Sequence, residues 1–464
     1  MFRIFQKYPS YFKTVTLIIH LSILSTLSVS TLTGCAGLKP APTAETKPLV
    51  GTFQVNKFVL DNGLRVLVVE DHTSPTFAYQ TWFRVGSRDE IPQYTGLAHL
   101  FEHMMFKETK HLKDGEFDRL LEAAGVEGEN AFTSRDYTAY IQELPKDRLE
   151  LIAELESERM INLMVNDQAF KTETEVVQNE RRFRNENSPD GMMYQELFEL
   201  AFTQHPYHWP VIGYQADLDR MSGKDAVSFY QSYYSPNHAT IVIVGDVDTE
   251  QVIKTIRKFY GKIPSQFAQT HPIAVEPAQE SARHKTLKLN MKTEKLMMGY
   301  HIPAVQNEDI PALNLLQSVL SGGKSSRLHR ALVETGIATD AGSYGMEDKD
   351  PSLFLITSNL QDKKSAAHAE SIILKELSRL AQHPIGEKEL EKAKNNVSFQ
   401  FYQGLDSSYE KARFLGTYES IANQFEAGLD IQNRTLKVTA PELQAVVKRY
   451  FQPNQRSVIT GVPK

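Results

Sequence analysis

An α+β fold made of two homologous halves is what the sequence predicts, on three observations. A chain of 464 residues exceeds one ordinary domain of roughly 100 to 200 residues. Along it, runs with the alternating apolar pattern of strands are interleaved with runs of helical period. The segment Ser232-Tyr233-Tyr234-Ser235-Pro236-Asn237, ahead of the apolar run Ala239 to Val244, is matched by Arg449-Tyr450-Phe451-Gln452-Pro453-Asn454 ahead of Ser457 to Thr460. The two prolines are 453 − 236 = 217 positions apart. A helix, a Pro-Asn stop and a terminal β run recurring at that interval read as two copies of one unit.

The chain starts with Arg3, Lys7 and Lys13 around the head of an apolar or small-residue run from Val15 to Leu32, the pattern of an export signal. Leu32-Thr33-Gly34-Cys35 resembles a bacterial lipobox, in which the cysteine is lipidated and becomes the first residue of the mature protein. Residues 1–34 are therefore read as a lipoprotein signal peptide, with an ordinary signal peptide or short membrane anchor as the alternative. Cys35 is the sole cysteine, so no disulfide forms and any metal must be held by histidine and carboxylate. Ala36, rather than Asp, resembles lipoproteins sent to the outer membrane, facing the periplasm. Residues 35–52, rich in Pro, Thr and Ala without apolar period, read as the lipidated cysteine and a flexible tether.

The first domain is expected over residues 53–264. It opens with a hairpin, Lys57 to Leu60 and Leu64 to Val69 around Asp61-Asn62-Gly63. A strand from Phe77 to Val85 follows, then helical patterns at Gly96 to Phe106 and Asp114 to Ala124, one strand around Ala131 to Leu144, and a helix from Asp147 to Leu163. Residues 265–285, with Pro272 and Pro277, read as the linker, and residues 286–464 as the second domain. A net charge of −6 from 51 basic and 57 acidic residues gives no basic field to gather nucleic acid.

Chemistry concentrates in Gly96-Leu97-Ala98-His99-Leu100-Phe101-Glu102-His103-Met104-Met105-Phe106. On a helix, Glu102 lies about 60° to one side of His99 and His103 about 40° to the other, so the three share a face. Leu97, Leu100, Phe101 and Met104 can bury the rest. Two imidazoles at i and i+4 can both reach one Zn²⁺, leaving room for a third protein ligand and a water, and the carboxylate between them can take that water's proton. A solvated helix face is the plain alternative, but an apolar helix carrying a buried polar trio needs partners for it. The helical run FKTETEVVQNERRFR, Phe170 to Arg184, offers a third ligand: Glu173 and Glu180 are seven apart, about 20° off one face, so that one can bind metal while the other supports the site. Spacing alone does not choose between them. Ser321-Gly322-Gly323-Lys324-Ser325-Ser326 has the look of a phosphate-loop ending, but Ser318 stands where that loop needs its earlier glycine.

The strings DNGLRVLVVED, VGSRDE, GLAHLFEHMMFKET, NAFTSRDYTAYIQELP, ETEVVQNERR, HPYHWPVIG and FYQSYYSPNHATIVIVGDVD, in this order, closely resemble the inverted-zincin peptidases of the pitrilysin and insulinase family, in its short bacterial form similar to mitochondrial processing peptidases. The resemblance runs over nearly all of residues 53 to 463. It implies two α/β-sandwich domains, each an antiparallel sheet packed with helices, forming half of a clamshell. It implies one zinc per chain held by His99, His103 and Glu180, Glu102 as catalytic base, and Glu173 as the supporting glutamate. Asn130, Ala131 and Thr133 fall on the family's exposed edge strand, where a peptide substrate adds as another strand. The family's arginine and tyrosine, which hold substrate carbonyls, align with Val333 and Thr339 in ALVETGIATDAGS; a different gap brings in Arg330 or Tyr344, but not both. That departure implies pairing with a homologous chain lacking the metal motif, a homodimer being the alternative. The implied function is a lipid-anchored envelope zinc endopeptidase acting on extended or unfolded peptides in a closed chamber, or a maturation protease with one target. A catalytically silent scaffold that assists envelope assembly is the contrasting reading.

Overall fold

The computed structural model describes residues 45–266 and 271–464; the signal and Cys35 lie outside them. Among the described residues, twelve strands form two sheets. The first holds β1 (Glu45–Pro48), β2 (Gln54–Val59), β3 (Arg65–Glu70), β4 (Thr76–Phe83), β5 (Glu127–Thr133), β6 (Thr138–Pro145) and β7 (Ala239–Gly245), in the order β1-β2-β3-β7-β4-β6-β5. The second holds β8 (Arg283–Leu289), β9 (Lys295–Ile302), β10 (Ala338–Gly345), β11 (Ser352–Leu360) and β12 (Arg456–Pro463), in the order β10-β11-β9-β12-β8. The first half also carries α1 (Leu97–Met104), α2 (Glu116–Ala123), α3 (Leu149–Asn162), α4 (Asp167–Arg181), α5 (Pro189–Ala201), the short α6 (Gln215–Leu218), α7 (Gly223–Tyr233) and α8 (Thr249–Tyr260). The second half carries α9 (Ile310–Ser321), α10 (Ala366–Gln382), α11 (Glu387–Gln403), α12 (Ser408–Ile421), α13 (Glu426–Thr435) and α14 (Ala440–Tyr450).

The repeat is structural. Strands β3-β7-β4-β6-β5 and β8-β12-β9-β11-β10 follow the same order, and each sheet contains one parallel pair, β3 with β7 and β8 with β12. The sheets are therefore mixed rather than wholly antiparallel. Helices α7 and α14 each stop before a Pro-Asn turn and feed the strand that enters mid-sheet. All seven residues of β7 are buried, as befits a strand covered on both faces.

Three local readings change. Within the stretch taken as tether, Glu45–Pro48 pairs with β2 as an added antiparallel strand. The run read as one strand from Ala131 to Leu144 is a hairpin, β5 and β6. Ser134 folds it back: its N–H donates to Tyr137 O at 2.8 Å, and its Oγ accepts from the N–H groups of Asp136 and Tyr137 at 3.1 and 3.2 Å, a hydroxyl-closed turn without glycine or proline. The linker's end, from Arg283, is strand β8.

Each half lends a helix to the other. One face of the first sheet packs on its own helices, while the opposite face, with Leu67, Trp82 and Val242, is closed by Ala412 and Leu415 of α12 and by Phe425. The approach is so close that a Cβ on Gly416 would lie 2.1 Å from Trp82 Cε2. At its rim, Lys57 and Arg65 reach the fully buried Glu419 at 2.8 and 2.9 Å. In return, Met193, Leu197, Phe198 and Ala201 of α5 cover Leu289, Met297, Leu353 and Ile459 on the second sheet. Arg283 donates to the last carbonyls of α5, Leu200 O and Ala201 O, at 2.9 and 2.8 Å, satisfying acceptors that a helix end leaves open.

Candidate metal centre

Helix α1 begins where two backbones touch. Gly96, at φ 93°, has no room for a side chain, because a Cβ there would sit 2.6 Å from Ile212 O; one on Gly213 would sit 2.2 Å from Thr95 O. This contact sets the loop Trp209–Ile212 against the helix that carries the histidines. The free N–H groups of Gly96 and Ala98 donate to Glu90 at 2.9 and 2.7 Å, a carboxylate cap at the positive end of a helix. Burial pushes the Glu90 carboxyl well above its ordinary range, against the pull of these two bonds. Sequence reading missed Glu90: it lies six residues before Gly96, outside any local capping pattern, and its one signal was its place in VGSRDE.

On α1 the apolar face forms as expected, with Leu97, Leu100, Phe101 and Met104 buried. The opposite face presents His99, Glu102 and His103. Helix α4, whose N-terminus is capped by Asn166 Oδ1 accepting from Ala169 N at 2.8 Å, packs beside α1 and brings in both glutamates. Glu180 Oε2 lies 3.4 Å from His103 Nε2, and Glu180 Oε1 lies 3.8 Å from His99 Nε2. Glu173 Oε1 is 2.9 Å from His103 Nδ1, while its other oxygen accepts from Lys107 at 2.8 Å. The two imidazoles stand 4.9 Å apart between centroids.

Of the described residues, His99, His103 and Glu180 form the one group of three potential metal ligands whose atoms lie within 4.8 Å of one another. A tetrahedral zinc with ligand bonds near 2.0 to 2.1 Å separates its ligand atoms by about 3.4 Å; the two Glu180 contacts, at 3.4 and 3.8 Å, are near that spacing, and the trio as a whole closes to within 4.8 Å. Glu173 on Nδ1 of His103 turns Nε2 toward Glu180, as outer partners of ligating histidines do. His99 is lowered to about 4 by burial and the neighbouring His103, which keeps it neutral and able to ligate. For His103 burial pulls downward, but the bonds to Glu173 and Glu180 prevail and raise it to about 9. Burial also raises Glu102, opposed by a 2.5 Å bond from Thr133 Oγ1.

The cleft holding this trio has a volume of about 680 Å³ and includes Glu102, Asn130, Ala131, Thr133 and Arg184 on its walls. Strand β5, with Asn130, Ala131 and Thr133, is the outermost strand of its sheet and pairs with β6 alone. Thr133 therefore has a second place, on Glu102 itself, that the sequence did not suggest. The places aligned to the family's arginine and tyrosine are elsewhere: Val333 ends a π-helical turn, His329–Val333, and Thr339 Oγ1 donates to Asp340 Oδ2 and Asn359 O, both at 3.1 Å. Arg330 lines a different cavity of about 570 Å³ in the second half, and Tyr344 stands on β10, 55 % exposed. None of the four lines the metal cleft.

The second half carries the same helix pair without the chemistry. At the repeat interval of 217 residues, His99, Glu102, His103, Glu173 and Glu180 correspond to Leu316, Val319, Leu320, Leu390 and Val397. The first three are buried on α9, and the last two pack against the same core from α11. Where the first half has five polar side chains, the second has an apolar plug.

Residues 65–214 match the model of the insulinase family, peptidase family M16, and residues 220–397 match the model described as the peptidase M16 inactive domain. The chain belongs to peptidase family M16. The zinc protease PqqE of Helicobacter pylori is 33% identical over 405 residues, 86% of this chain and 91% of that protein. An uncharacterized zinc protease of Bacillus subtilis, YmxG, is 24% identical over 398 residues, 86% of this chain and 96% of its own. A crystal structure of a protease from Helicobacter pylori superposes with a TM-score of 0.84 at 32% identity, over 91% of this chain and 100% of that one. The periplasmic protease PqqL of Escherichia coli shares the fold, with a TM-score of 0.74 at 20% identity, over 90% of this chain but 48% of PqqL. This M16 chain is a zinc protease of two α/β domains, and its inactive domain is the half in which α9 and α11 carry the plug.

Proposed function

We propose that this M16 protease is an endopeptidase for extended or unfolded peptides, with one zinc per chain on His99, His103 and Glu180 and with Glu102 as base. The observation that carries the reading is the convergence of those three ligand atoms within 4.8 Å beside a carboxylate on the same helical face. Zinc held there would supply Lewis acidity and make a water nucleophilic near neutral pH. Glu102 accepts the proton of that water and passes it to the leaving amine; a base with its affinity raised by burial suits both transfers. Thr133 holds the carboxylate in place. A peptide adds along β5 through main-chain hydrogen bonds at Asn130, Ala131 and Thr133, so selection falls on extended backbone.

One chain offers one wall of a chamber. A homologous chain without the metal motif closes it in this reading and brings the arginine and tyrosine that Val333 and Thr339 replace; two copies of this chain are the alternative. Lipidation at Cys35 would hold the enzyme on the envelope, at the outer membrane facing the periplasm, in keeping with a periplasmic structural relative. Glu102→Gln is the test of the core of the proposal. It should abolish peptide cleavage with zinc content unchanged, assayed with and without the product of a neighbouring homologous gene, and full activity in that variant would remove Glu102 from the mechanism.

A further inference from the structure

The cleft has two cationic side chains on its walls, Arg135 and Arg184, and they are built differently. Arg135 is 7% exposed, its guanidinium carbon stands 3.7 Å from the centre of the Phe198 ring, and its Nη1 donates to Tyr194 OH at 3.2 Å. It is part of the wall. The Arg184 side chain is 68% exposed, and its Nη1 is 2.7 Å from Glu180 Oε1. Among the described residues it has no other ion-pair or hydrogen-bond partner, which leaves most of the donors of this cleft-lining residue unpaired.

The backbone at this point departs from an ordinary helix. After Arg181 the α-helix gives way to a π-helical turn, Arg182–Glu186, a local widening that recurs at functional sites. Its position is enforced from outside. A Cβ on Gly191 would lie 2.0 Å from Arg184 O, so the first turn of α5 presses on the carbonyl of Arg184 as only glycine permits. Ser188 Oγ accepts from Gly191 N at 3.2 Å and fixes that turn. A long, exposed, charged side chain is thus anchored at its backbone by glycine contact and at its tip by a carboxylate of the trio.

We infer that Arg184 is a catalytic residue that donates to the oxygen of the scissile carbonyl as negative charge develops on it, a cation supplied by the metal-bearing chain itself. The inference rests on the zinc-site reading above. A guanidinium has five donors in a planar fork; one stays on Glu180, and a second can meet an oxygen on the cleft side. This is electrostatic stabilisation by a group already in place, which typically accounts for about 10²- to 10³-fold in rate when one such donor is removed. The same contact places positive charge beside the metal without a residue from the second half, where Val333 and Thr339 stand.

The test uses the zinc-loaded full chain and a phosphinic peptide, in which a tetrahedral anionic group replaces the scissile bond, beside a peptide of the same sequence without that group. Arg184→Ala and Arg184→Gln should keep one equivalent of zinc and bind the phosphinic peptide about 100-fold more weakly, with the plain peptide changed less than about threefold; Arg184→Lys should recover part of the loss. Equal weakening of both ligands, a loss that tracks zinc depletion, unchanged binding of the phosphinic peptide, or no binding of it by the wild-type chain would each overturn the inference. His103→Ala separates the two levels. If that variant keeps its zinc, the metal-site reading fails whatever Arg184→Ala does.

Discussion

His103 Nδ1 and Glu173 Oε1 lie 2.9 Å apart, and the second oxygen of Glu173 is held by Lys107 at 2.8 Å. The imidazole therefore has one nitrogen committed to a carboxylate that is itself anchored, which fixes ring orientation and tautomer. Glu173→Gln is expected to lower zinc affinity about 10- to 100-fold, measured by competition against a chromogenic chelator. Lys107→Ala should act in the same direction and more weakly, because it loosens Glu173 without removing it. Unaltered affinity in Glu173→Gln would show that packing alone orients His103.

Thr133 Oγ1 donates to Glu102 Oε2 at 2.5 Å, and a hydrogen bond to a carboxylate favours its charged form. Removing it in Thr133→Val takes away the strongest opposition to burial, leaving only the charges of His103 and Arg184 against it, so the affinity of Glu102 for protons rises. The acidic limb of the kcat profile should move to higher pH, with zinc content constant. A limb that stays in place or moves to lower pH would mean that Glu102 does not govern it.

Glu129, on β5, is raised to about 7 by burial first and by Asp118, with Arg159 opposing, and its Oε1 is buried without a partner. The folded-state value exceeds that of the unfolded chain, so the native state holds more protons between about pH 4.5 and 7, and stability falls as pH rises through that window. Glu129→Gln should raise the melting temperature at pH 8 and lose this advantage toward pH 5. Thermal scans of both proteins across that range decide it; a constant difference would remove Glu129 as the source.

Gly416 faces Trp82 with no space for a methyl group, since its Cβ would stand 2.1 Å from the indole. Gly416→Ala must push α12 off the first sheet or turn Trp82 out of its site. Overpacking of this kind costs about 1 to 3 kcal/mol, visible as an earlier urea midpoint. The candidate zinc site, on the opposite face of the sheet, should take up as much metal in the folded fraction of this variant as in the wild type.

Much of the metal centre was legible because helical geometry is local. The i and i+4 histidines, the intervening glutamate and the apolar face of α1 follow from a 100° step, and the seven-residue spacing put Glu173 and Glu180 on one side of α4. The hairpin between β5 and β6 was not legible, because Ser134 closes its turn with a hydroxyl where glycine or asparagine would have announced it. The partnership of α5 with the second sheet and α12 with the first escaped for another reason: an amphipathic period says that a helix has a face to bury, not which sheet will receive it. Arg184 entered the sequence reading only as the end of the run that carries Glu173 and Glu180, and its difference came from the π-helical turn and from Gly191, neither of which has a periodic signature. The family resemblance supplied what spacing left open, the choice of Glu180 over Glu173.

The exchange of α5 and α12 has a bearing on heredity. A gene cut at the linker would yield two polypeptides, each with one sheet stripped on one side and one helix with nowhere to dock. Fission of the gene is thereby discouraged. The second half, with leucine and valine where the first has its histidines and glutamates, is held as a fixed companion by the helices the two halves exchange.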